Sequence, residues 1–402
     1  MGPLDGIRVI DMTSVLMGPF ATQFLGDMGA DVVKIEAPDG DVTRQIAPFR
    51  SAGMGAVYMN ANRNKRSVCL DLKNPAGHGV LLRLLKDADI LVYNVRPRAM
   101  ARLGLAYEAV SAANPRLIYA GLYGFGQDGP YAAKPAYDDL IQGGSGLSSL
   151  FARAGDGVPR YAPSAISDRI VGLTALGAIC ASLVHRQRTG LGQRVDVPMF
   201  ETMVNFVLGD HLGGLSYEPP LDRGGYARQL SRDRRPYQTS DGYVCALVYN
   251  DKQWRSFLGA IGRAELMDDP RFATFAARAE NIDHVYGELA RIFLERSTAD
   301  WLDLLEAADI PSMPMHDLDS LLEDPHLTAT GFFQRIEHPS EGAMRVMRPT
   351  MRWSQTPAEV RRLAPRQGEH GREVLLEAGF TESEVRAMAE AGALILPDTS
   401  GA

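Results

Sequence analysis

The stretch Ile7–Glu36 reads IRVIDMTSVLMGPFATQFLGDMGADVVKIE, and it decides the fold class. Its first residues, Ile7–Asp11, predict a short strand, and Gly18–Gly29 carries apolar residues at helical spacing. The β-branched segment Asp31–Glu36 predicts the next strand. Strand, helix and strand in this order indicate one unit of a parallel sheet with a crossover helix.

The same alternation continues over the first two hundred residues. Strands are predicted at 90–93, 116–122 and 193–197, and helices from Pro75, over 167–185 and over 198–208. We therefore expect an α/β fold with a Rossmann-like parallel sheet and helices on both faces. Ligands of such sheets bind beyond the carboxyl ends of the strands, which directs attention to the residues that follow each strand.

A change in composition and in the pattern of predicted elements after Leu212 predicts a second domain. Glycine and proline residues recur as far as Arg235, a strand follows at Tyr243–Val248, and helical segments continue to about Leu322. Strand character resumes near Ile336, and helices follow at 373–377 and 383–390. We predict a large domain formed by 1–215 and 328–402, with a smaller inserted α/β domain at 216–327.

Composition limits the possible functions. The chain has 402 residues and a net charge of −7, which argues against general nucleic-acid binding. No apolar run approaches the roughly 18 residues of a membrane span, and Met1–Ile10 lacks the layout of a signal peptide, so we expect a cytoplasmic protein without membrane contact. Three separated cysteines and eight scattered histidines give no metal-ligand spacing, so no metal is expected.

Residues 61–102 are strongly basic in this acidic protein. Only Asp71, Asp87 and Asp89 oppose the positive charges there. The basic residues of the stretch are Arg63, Lys65, Arg66, Lys73, Arg83, Lys86, Arg96, Arg98 and Arg102. A small polyanionic ligand would explain this charge, and so would a solvated helix face.

The segment Gly124–Gly129, GFGQDG, matches the dinucleotide-binding pattern GxGxxG and follows a predicted strand. That interpretation needs a helix to open on the loop, but Pro130 comes next and the helical pattern starts only near Tyr137. The glycines favour a loop whose backbone approaches a ligand. A nicotinamide-dependent reductase is a distant alternative.

Asp168 stands at the start of the most apolar predicted helix, in PSAISDRIVG. Ser164 or Ser167 is placed to cap this helix. A carboxylate in the first turn is stabilised as the anion by the helix dipole, which suits a nucleophile. An acidic residue that merely complements the dipole would look the same, so position alone leaves both interpretations open.

Several motifs in order resemble the class III coenzyme A-transferases, the family of formyl-CoA transferase, carnitine-CoA transferase and alpha-methylacyl-CoA racemase. The resemblance spans nearly the whole chain. Its motifs are PLDGIRVID (3–11), GADVVKIE (29–36), NKRSVCLDLK (64–73), YGFGQDGP (123–130), SDRIVG (167–172), RTGLGQRVDVPM (188–199), SDGYV (240–244) and GEHGREVL (368–375).

The resemblance implies covalent catalysis by Asp168, through a mixed anhydride and an aspartyl-CoA thioester. An acyl-CoA would be the donor and a free carboxylic acid the acceptor, with no metal. The family's CoA-lining positions fall on Ser14, Val15, Leu70, Lys73, Asn94, Val95, Arg102, Tyr137 and Met199. Some family members carry a basic residue where this chain has Ala37, and Arg44 is a possible substitute.

The resemblance also implies an interlocked homodimer, with the large domain built from both chain ends. The racemases of the family are the nearest alternative, since they share the aspartate. Their GHD motif supplies a histidine base where this chain has Tyr137, in Ala136-Tyr137-Asp138. Tyrosine has an ordinary pKa near 10 and is a poor general base, which favours transfer over racemisation.

Two further possibilities stay open at the level of sequence. A non-catalytic CoA-binding protein of the same family would retain the fold, but it would have no use for the complete Asp168 motif. The acceptor could be a dicarboxylic acid whose far carboxylate meets an arginine of the loop that enters the small domain. The arginines of this loop are Arg223, Arg228, Arg232, Arg234 and Arg235.

Overall fold

The structure, a computed structural model, describes residues 1–397. The strands are β1 (Arg8–Met12), β2 (Asp31–Glu36), β3 (Lys65–Leu70), β4 (Ile90–Tyr93), β5 (Ile118–Tyr123), β6 (Arg194–Pro198), β7 (Tyr237–Gln238), β8 (Tyr243–Ala246), β9 (Ser312–Pro314), β10 (Phe333–His338), β11 (Gly342–Met347) and β12 (Leu394–Ile395).

The helices alternate with the strands over the first two hundred residues, as expected. They are α1 (Met17–Asp27), α2 (Ala56–Met59), α3 (Pro75–Lys86), α4 (Pro97–Arg102), α5 (Tyr107–Ala113), α6 (Asp138–Gly144), α7 (Leu147–Ala154), α8 (Ile166–Thr189), α9 (Met199–His211), α10 (Ala227–Leu230), α11 (Asp251–Ala260), α12 (Phe275–Glu280), α13 (Ile282–Phe293), α14 (Thr298–Ala307), α15 (Leu318–Leu321), α16 (Pro325–Ala329), α17 (Gly371–Glu377) and α18 (Glu382–Glu390).

The chain forms two compact units. The first contains Met1–Ser145, Ala162–Asn205 and the chain from Ala329 onward, so residues from both halves of the chain build it. The second contains Gly146–Tyr161 and Phe206–Thr328. Residues 146–161 lie outside the smaller domain that we predicted from the sequence.

The first unit is built on a seven-stranded sheet in the order β12-β3-β2-β1-β4-β5-β6. Every pairing is parallel except that of β12 with β3. The predicted strands at 7–11, 31–36, 90–93, 116–122 and 193–197 correspond to β1, β2, β4, β5 and β6. The predicted α/β class with a mainly parallel sheet is therefore confirmed.

Strand β3 was missed in the sequence because it begins with charged residues. Lys65 is fully buried, and its Nζ donates to Asp11 Oδ2 at 3.0 Å. Arg66 is almost buried and donates to both carboxylate oxygens of Asp31. Asp31 lies on the adjacent strand β2, and Asp11 lies one strand further away on β1. These two carboxylates allow two cations to start a strand in the interior.

Helix α8 packs on α1 along one face. A Cβ on Gly172 would lie 2.8 Å from the carbonyl oxygen of Met17, so glycine permits this close approach. The buried residues of α8, among them Val171, Ala175 and Ile179, repeat at helical spacing.

By length and composition, α8 could also cross a membrane, with a mean hydropathy of 1.4. Our expectation that no segment approaches this limit was wrong. The apolar residues of α8 do not form an unbroken run, but interspersed polar residues such as Thr174 and Ser182 lower the mean hydropathy only slightly. Burial of 44% of the apolar window within the protein is consistent with a core helix, which passes the same test.

The second unit has its own core. The three strands β7, β8 and β9 form an antiparallel sheet, in which β8 corresponds to the strand predicted at 243–248. Aromatic rings fill the space between this sheet and its helices. Tyr237 stacks on Phe293 with 4.5 Å between ring centroids, and Trp301 lies 4.6 Å from the same ring. A separate apolar core of this kind is what an inserted domain requires.

Candidate active site

One cavity lies where β1, β4 and β5 end and α8 begins. The topology explains its place, because the sheet order reverses between β1 and β4 and leaves a crevice at the carboxyl edge. Asp168 lines this cavity together with five of the predicted CoA positions, namely Ser14, Val15, Asn94, Tyr137 and Met199.

Two neighbouring cavities contain the remaining predicted positions. Ser14, Leu70, Lys73 and Val95 line the first, and Val95 and Arg102 line the second. The nine predicted positions are thus distributed over three cavities of the same unit, all at the carboxyl ends of strands.

The side-chain amide of Asn94 is occupied within the protein. Its Oδ1 accepts a hydrogen bond from the Ser14 N–H at 3.1 Å, and its Nδ2 donates to the Ser14 carbonyl at 2.8 Å. Asn94 therefore shapes the loop after β1, and one acceptor and one donor position of its amide are used for this.

The basic stretch divides into two groups. Lys73, Arg96, Arg98 and Arg102 line the cavities. Others are bound inside the protein, as Arg63 is to Asp27 at 2.6 Å and Lys65 is to Asp11. The nine charges form one stretch in the sequence, whereas in the structure only some of them line a cavity where a ligand could bind.

Arg44 cannot replace a basic residue at position 37. Its side chain is buried, with Nε and Nη2 donating to the two oxygens of Glu36 at 2.8 and 2.7 Å. Nη2 also donates to Tyr58 Oη at 2.6 Å. The suggested substitution was wrong, because both ends of the guanidinium are committed to interior partners.

Asp138 holds the start of α8. The backbone N–H of Asp168 donates to Asp138 Oδ1 at 2.9 Å, and Gln142 Nε2 donates to Asp138 Oδ2 at 2.6 Å. No side chain caps α8 at its N-cap residue, Ala165. The predicted serine cap was therefore wrong, since a carboxylate 30 positions earlier in the chain takes its place.

The environment of Asp168 stabilises the ionised form of its carboxylate only weakly. Burial, and secondly the charge of Asp138, raise its pKa to about 7, against a smaller lowering by Arg169. The Arg169 guanidinium lies 4.3 Å from the ring centroid of Phe20, and no ion pair with Asp168 forms. Within residues 1–397, no group donates a hydrogen bond to the Asp168 carboxylate oxygens.

This environment contradicts the expectation that the helix dipole stabilises the anionic form of Asp168, because burial and Asp138 outweigh such an effect. A desolvated carboxylate without donors is reactive once ionised, because few interactions must be broken before it attacks a carbonyl carbon. The arrangement suits a nucleophile better than a structural cap.

The glycine-rich loop packs tightly beside the site. Gly124 lines the cavity, and a Cβ there would lie 2.2 Å from the Cβ of Ala136. The N–H of Gly126 donates to Glu201 Oε1 at 2.9 Å. Because α6 begins only at Asp138, the helix that a dinucleotide site needs is not on this loop.

The side chains that usually bind metal ions do not form a cluster at the site within the described residues. Over residues 1–397, no cluster of three or more histidine, cysteine or acidic side chains is placed to hold a metal ion. The sequence-based expectation of metal-free chemistry stays a prediction.

We expect Asp168→Asn to stabilise the protein in a pH-dependent manner. Between about pH 4 and pH 7 the folded protein retains a proton that the unfolded chain has lost, so stability falls as pH rises. Asp168→Asn carries no titrating group at this position, so it does not lose this stability. Above pH 7 its free energy of unfolding should exceed that of the parent by on the order of 3 kcal/mol. Thermal midpoints of both proteins from pH 5 to pH 8 measure the difference.

The control is Asp139→Asn, which removes an exposed carboxylate from the first turn of α6. Midpoints of Asp168→Asn that run parallel to those of the parent over the whole range would contradict the raised pKa.

Comparison with known proteins places these features in a family. The model of CoA-transferase family III matches residues 4–371. A succinate–glutarate CoA-transferase of Agrobacterium fabrum is 36% identical over 93% of this chain and 95% of its own. A formyl-CoA:oxalate CoA-transferase of Escherichia coli is 31% identical over 96% of this chain and 98% of its own.

A solved structure shares the fold. The crystal structure of a CAIB/BAIF family protein from Brucella suis superposes with a TM-score of 0.79 at 31% identity. The match covers 94% of this chain and 99% of the Brucella chain. The sequence motifs, the sheet with its carboxyl-edge cavities and these matches agree, and the chain belongs to CoA-transferase family III.

Proposed function

We propose that this enzyme transfers CoA from an acyl-CoA donor to a free carboxylic acid, with Asp168 as the nucleophile. The observation that carries the proposal is the carboxylate of Asp168, which faces a cavity at the carboxyl edge of the sheet without a hydrogen-bond donor among residues 1–397. Membership of the CoA-transferase family supports the reaction class.

The proposed reaction exchanges one activated acyl group for another. The Asp168 carboxylate attacks the thioester carbonyl of the donor, a mixed anhydride forms, and the CoA thiolate leaves. The thiolate then attacks the aspartyl carbonyl, the donor acid departs, and an aspartyl-CoA thioester remains. The acceptor carboxylate attacks this thioester, and the returning thiolate takes the acceptor acyl group and frees Asp168.

We propose that CoA occupies the three cavities at the carboxyl edge. Lys73 and Arg102, with Arg96 and Arg98 beside them, supply cations for the phosphates. Of the remaining predicted positions, Leu70 and Val95 line the cavities that contain these cations. The others line the cavity of Asp168, namely Ser14, Val15, Asn94, Tyr137 and Met199. The basic residues of the stretch that are held inside the protein take no part in this binding.

Tyr137 supports transfer rather than racemisation. It precedes α6, lines the cavity of Asp168 and is 67% exposed. A tyrosine hydroxyl is a weak base at neutral pH, so abstraction of a proton beside a thioester would lack a partner.

A dicarboxylic acid is the acceptor that we propose. The relative from Agrobacterium fabrum is named for succinate and glutarate, which both carry two carboxylates. In the second unit, Arg228 Nε donates to Tyr286 Oη at 2.8 Å, and Arg235 pairs with Asp233 at 3.1 Å. Arg228 is thus anchored on Tyr286, whereas the ion pair of Arg235 with Asp233 lies at the surface.

We propose further that the protein is a cytoplasmic interlocked homodimer, each chain of which forms a large and a small domain. Exposed apolar residues on α8 support a second chain as a partner. Leu173 and Val184 expose almost half of their surfaces on a helix whose other face is buried.

The nucleophile is tested by trapping. Incubation with succinyl-CoA, glutarate and hydroxylamine should leave a hydroxamate on Asp168, because hydroxylamine cleaves the proposed anhydride or thioester at the aspartyl carbonyl. Peptide mass spectrometry measures the mass shift. Asp168→Ala should show no adduct and lose transfer activity by roughly 10³-fold or more.

The control is Asp139→Asn, which leaves the cavity intact. If Asp168→Ala retained transfer activity, or if the adduct appeared on another residue, the proposed mechanism would be wrong.

The pH profile tests the electrostatics of the site. Because burial and Asp138 raise the pKa of Asp168 to about 7, kcat/KM should rise with pH up to about 7 and then level off. Asp138→Asn keeps an oxygen to accept the Asp168 N–H but removes the negative charge, so the rise should shift to lower pH. An unchanged profile in this variant would exclude Asp138 as a cause of the raised pKa.

Native mass spectrometry tests the assembly. We expect a mass of two chains at micromolar concentration that persists on dilution, because interlocked rings cannot separate without unfolding. A monomer mass under native conditions would contradict the interlocked dimer and leave the chemistry of Asp168 untouched.

A further inference from the structure

Val15 adopts a backbone conformation that its side chain disfavours. Its φ is +69°, in the left-handed region, where a β-branched residue meets steric conflict with its own backbone. Among residues 1–397, the other non-glycine residues with positive φ are Asn64 and Asp309, whose side chains tolerate that region far better. Val15 lies in the wall of the cavity that contains Asp168.

A buried carboxylate holds Val15 in this conformation. Asp41 Oδ1 accepts the N–H of Val15 at 3.2 Å, and it also accepts the N–H and the hydroxyl of Thr43 at 3.0 and 2.8 Å. Asp41 is 3% exposed, so these hydrogen bonds form away from water. The two hydrogen bonds from Thr43 hold the Asp41 carboxylate in place. The carboxylate can therefore restrain the backbone of Val15 through the third hydrogen bond.

Lys34 contacts both the Asp41 carboxylate and the loop that follows β1. Its Nζ has no solvent exposure and donates to Asp41 Oδ2 at 3.0 Å and to the carbonyl of Thr13 at 2.8 Å. Burial would lower the pKa of Lys34, but Asp11 and Asp41 together raise it, so the cation is retained. One buried ion pair thus contacts the loop at Thr13 and again at Val15.

The loop after β1 is restrained along its length. Thr13 N–H donates to Asp11, and both backbone groups of Ser14 are bonded to Asn94. The N–H groups from Thr13 to Val15 therefore all have partners, and so do the first two carbonyls of the loop. A loop fixed in this way before a ligand arrives does not have to be ordered on binding.

We propose that Asp41 and Lys34 are positioning residues, which hold Val15 in the left-handed conformation and so set the wall of the substrate cavity. This inference rests on the proposed function. Asp168 itself is held by Asp138 on a different element, so loss of Asp41 should weaken acyl-CoA binding more than the chemical step. Asp41→Ala should raise the KM for succinyl-CoA tenfold or more, with less than a threefold change in kcat.

A double-mutant cycle separates this role from a general effect on stability. Asp41→Ala is compared in three backgrounds, with Val15 intact, with Val15→Gly and with Val15→Ala. Glycine adopts positive φ at no steric cost, so the effect of Asp41→Ala on KM should shrink to within threefold in the glycine background. Alanine is small but keeps its Cβ, so in that background the effect should stay close to tenfold.

Asp27→Ala provides a matched control, since Asp27 is also a buried carboxylate in an ion pair, in its case with Arg63. It should lower the melting temperature without a change in KM. If Asp41→Ala does not fold, Asp41→Asn replaces it, because asparagine keeps the acceptor oxygen but loses the charge. The same dependence on the residue at position 15 is then expected, at smaller size.

Amide hydrogen exchange provides a readout that does not depend on CoA. Peptides that cover 13–17 should exchange faster in Asp41→Ala than in the parent and than in Asp27→Ala. An equal KM effect in all three backgrounds, or unchanged exchange, would overturn the positioning role. A parent protein that neither binds CoA nor transfers it would refute the proposed function instead, while the exchange measurement would still test the loop.

Discussion

The buried charges between β1, β2 and β3 govern the carboxyl edge of the sheet. Lys65 Nζ donates to Asp11 Oδ2, to the carbonyl of Pro19 at 2.9 Å and to Asn62 Oδ1 at 2.8 Å. Burial lowers the pKa of Lys65 to about 8, and Lys65 and Lys34 outweigh burial to bring the pKa of Asp11 to about 2. An unpaired buried charge costs about 3–5 kcal/mol, so these groups must be placed together. The loops that leave the three strands are placed with them.

Much of the large sheet could be predicted because β1, β2, β4 and β5 are buried along almost their whole length. Such strands appear as short apolar runs, as Ile90–Tyr93 does, and their sequence needs no knowledge of neighbours. Strand β3 could not be found in that way. Its opening residues, Lys65 and Arg66, are neutralised by Asp11 of β1 and Asp31 of β2. That these carboxylates come within reach of β3 is known only once the sheet order is known.

The candidate site divides along the same line. Asp168 was found through a motif that resembles a family, and the glycine loop was correctly separated from a dinucleotide site because no helix opens on it. The direction of the pKa shift of Asp168 was predicted wrongly, because the pKa is raised rather than lowered. The helix dipole is a local property that the sequence reveals, whereas burial and the nearby charge of Asp138 come from tertiary packing. Arg44 failed as a substitute ligand for the same reason, since only the structure shows Glu36 beside it.

The antiparallel pairing of β12 with β3 has a consequence for biosynthesis. Leu394 pairs with Leu70, so the outer edge of β3 is closed by a segment that is synthesised more than 300 residues after β3 itself. Until then the nascent first unit exposes an open strand edge, which is a template for pairing with other chains. Chaperone protection during translation is most useful in this interval, which closes when β12 pairs with β3.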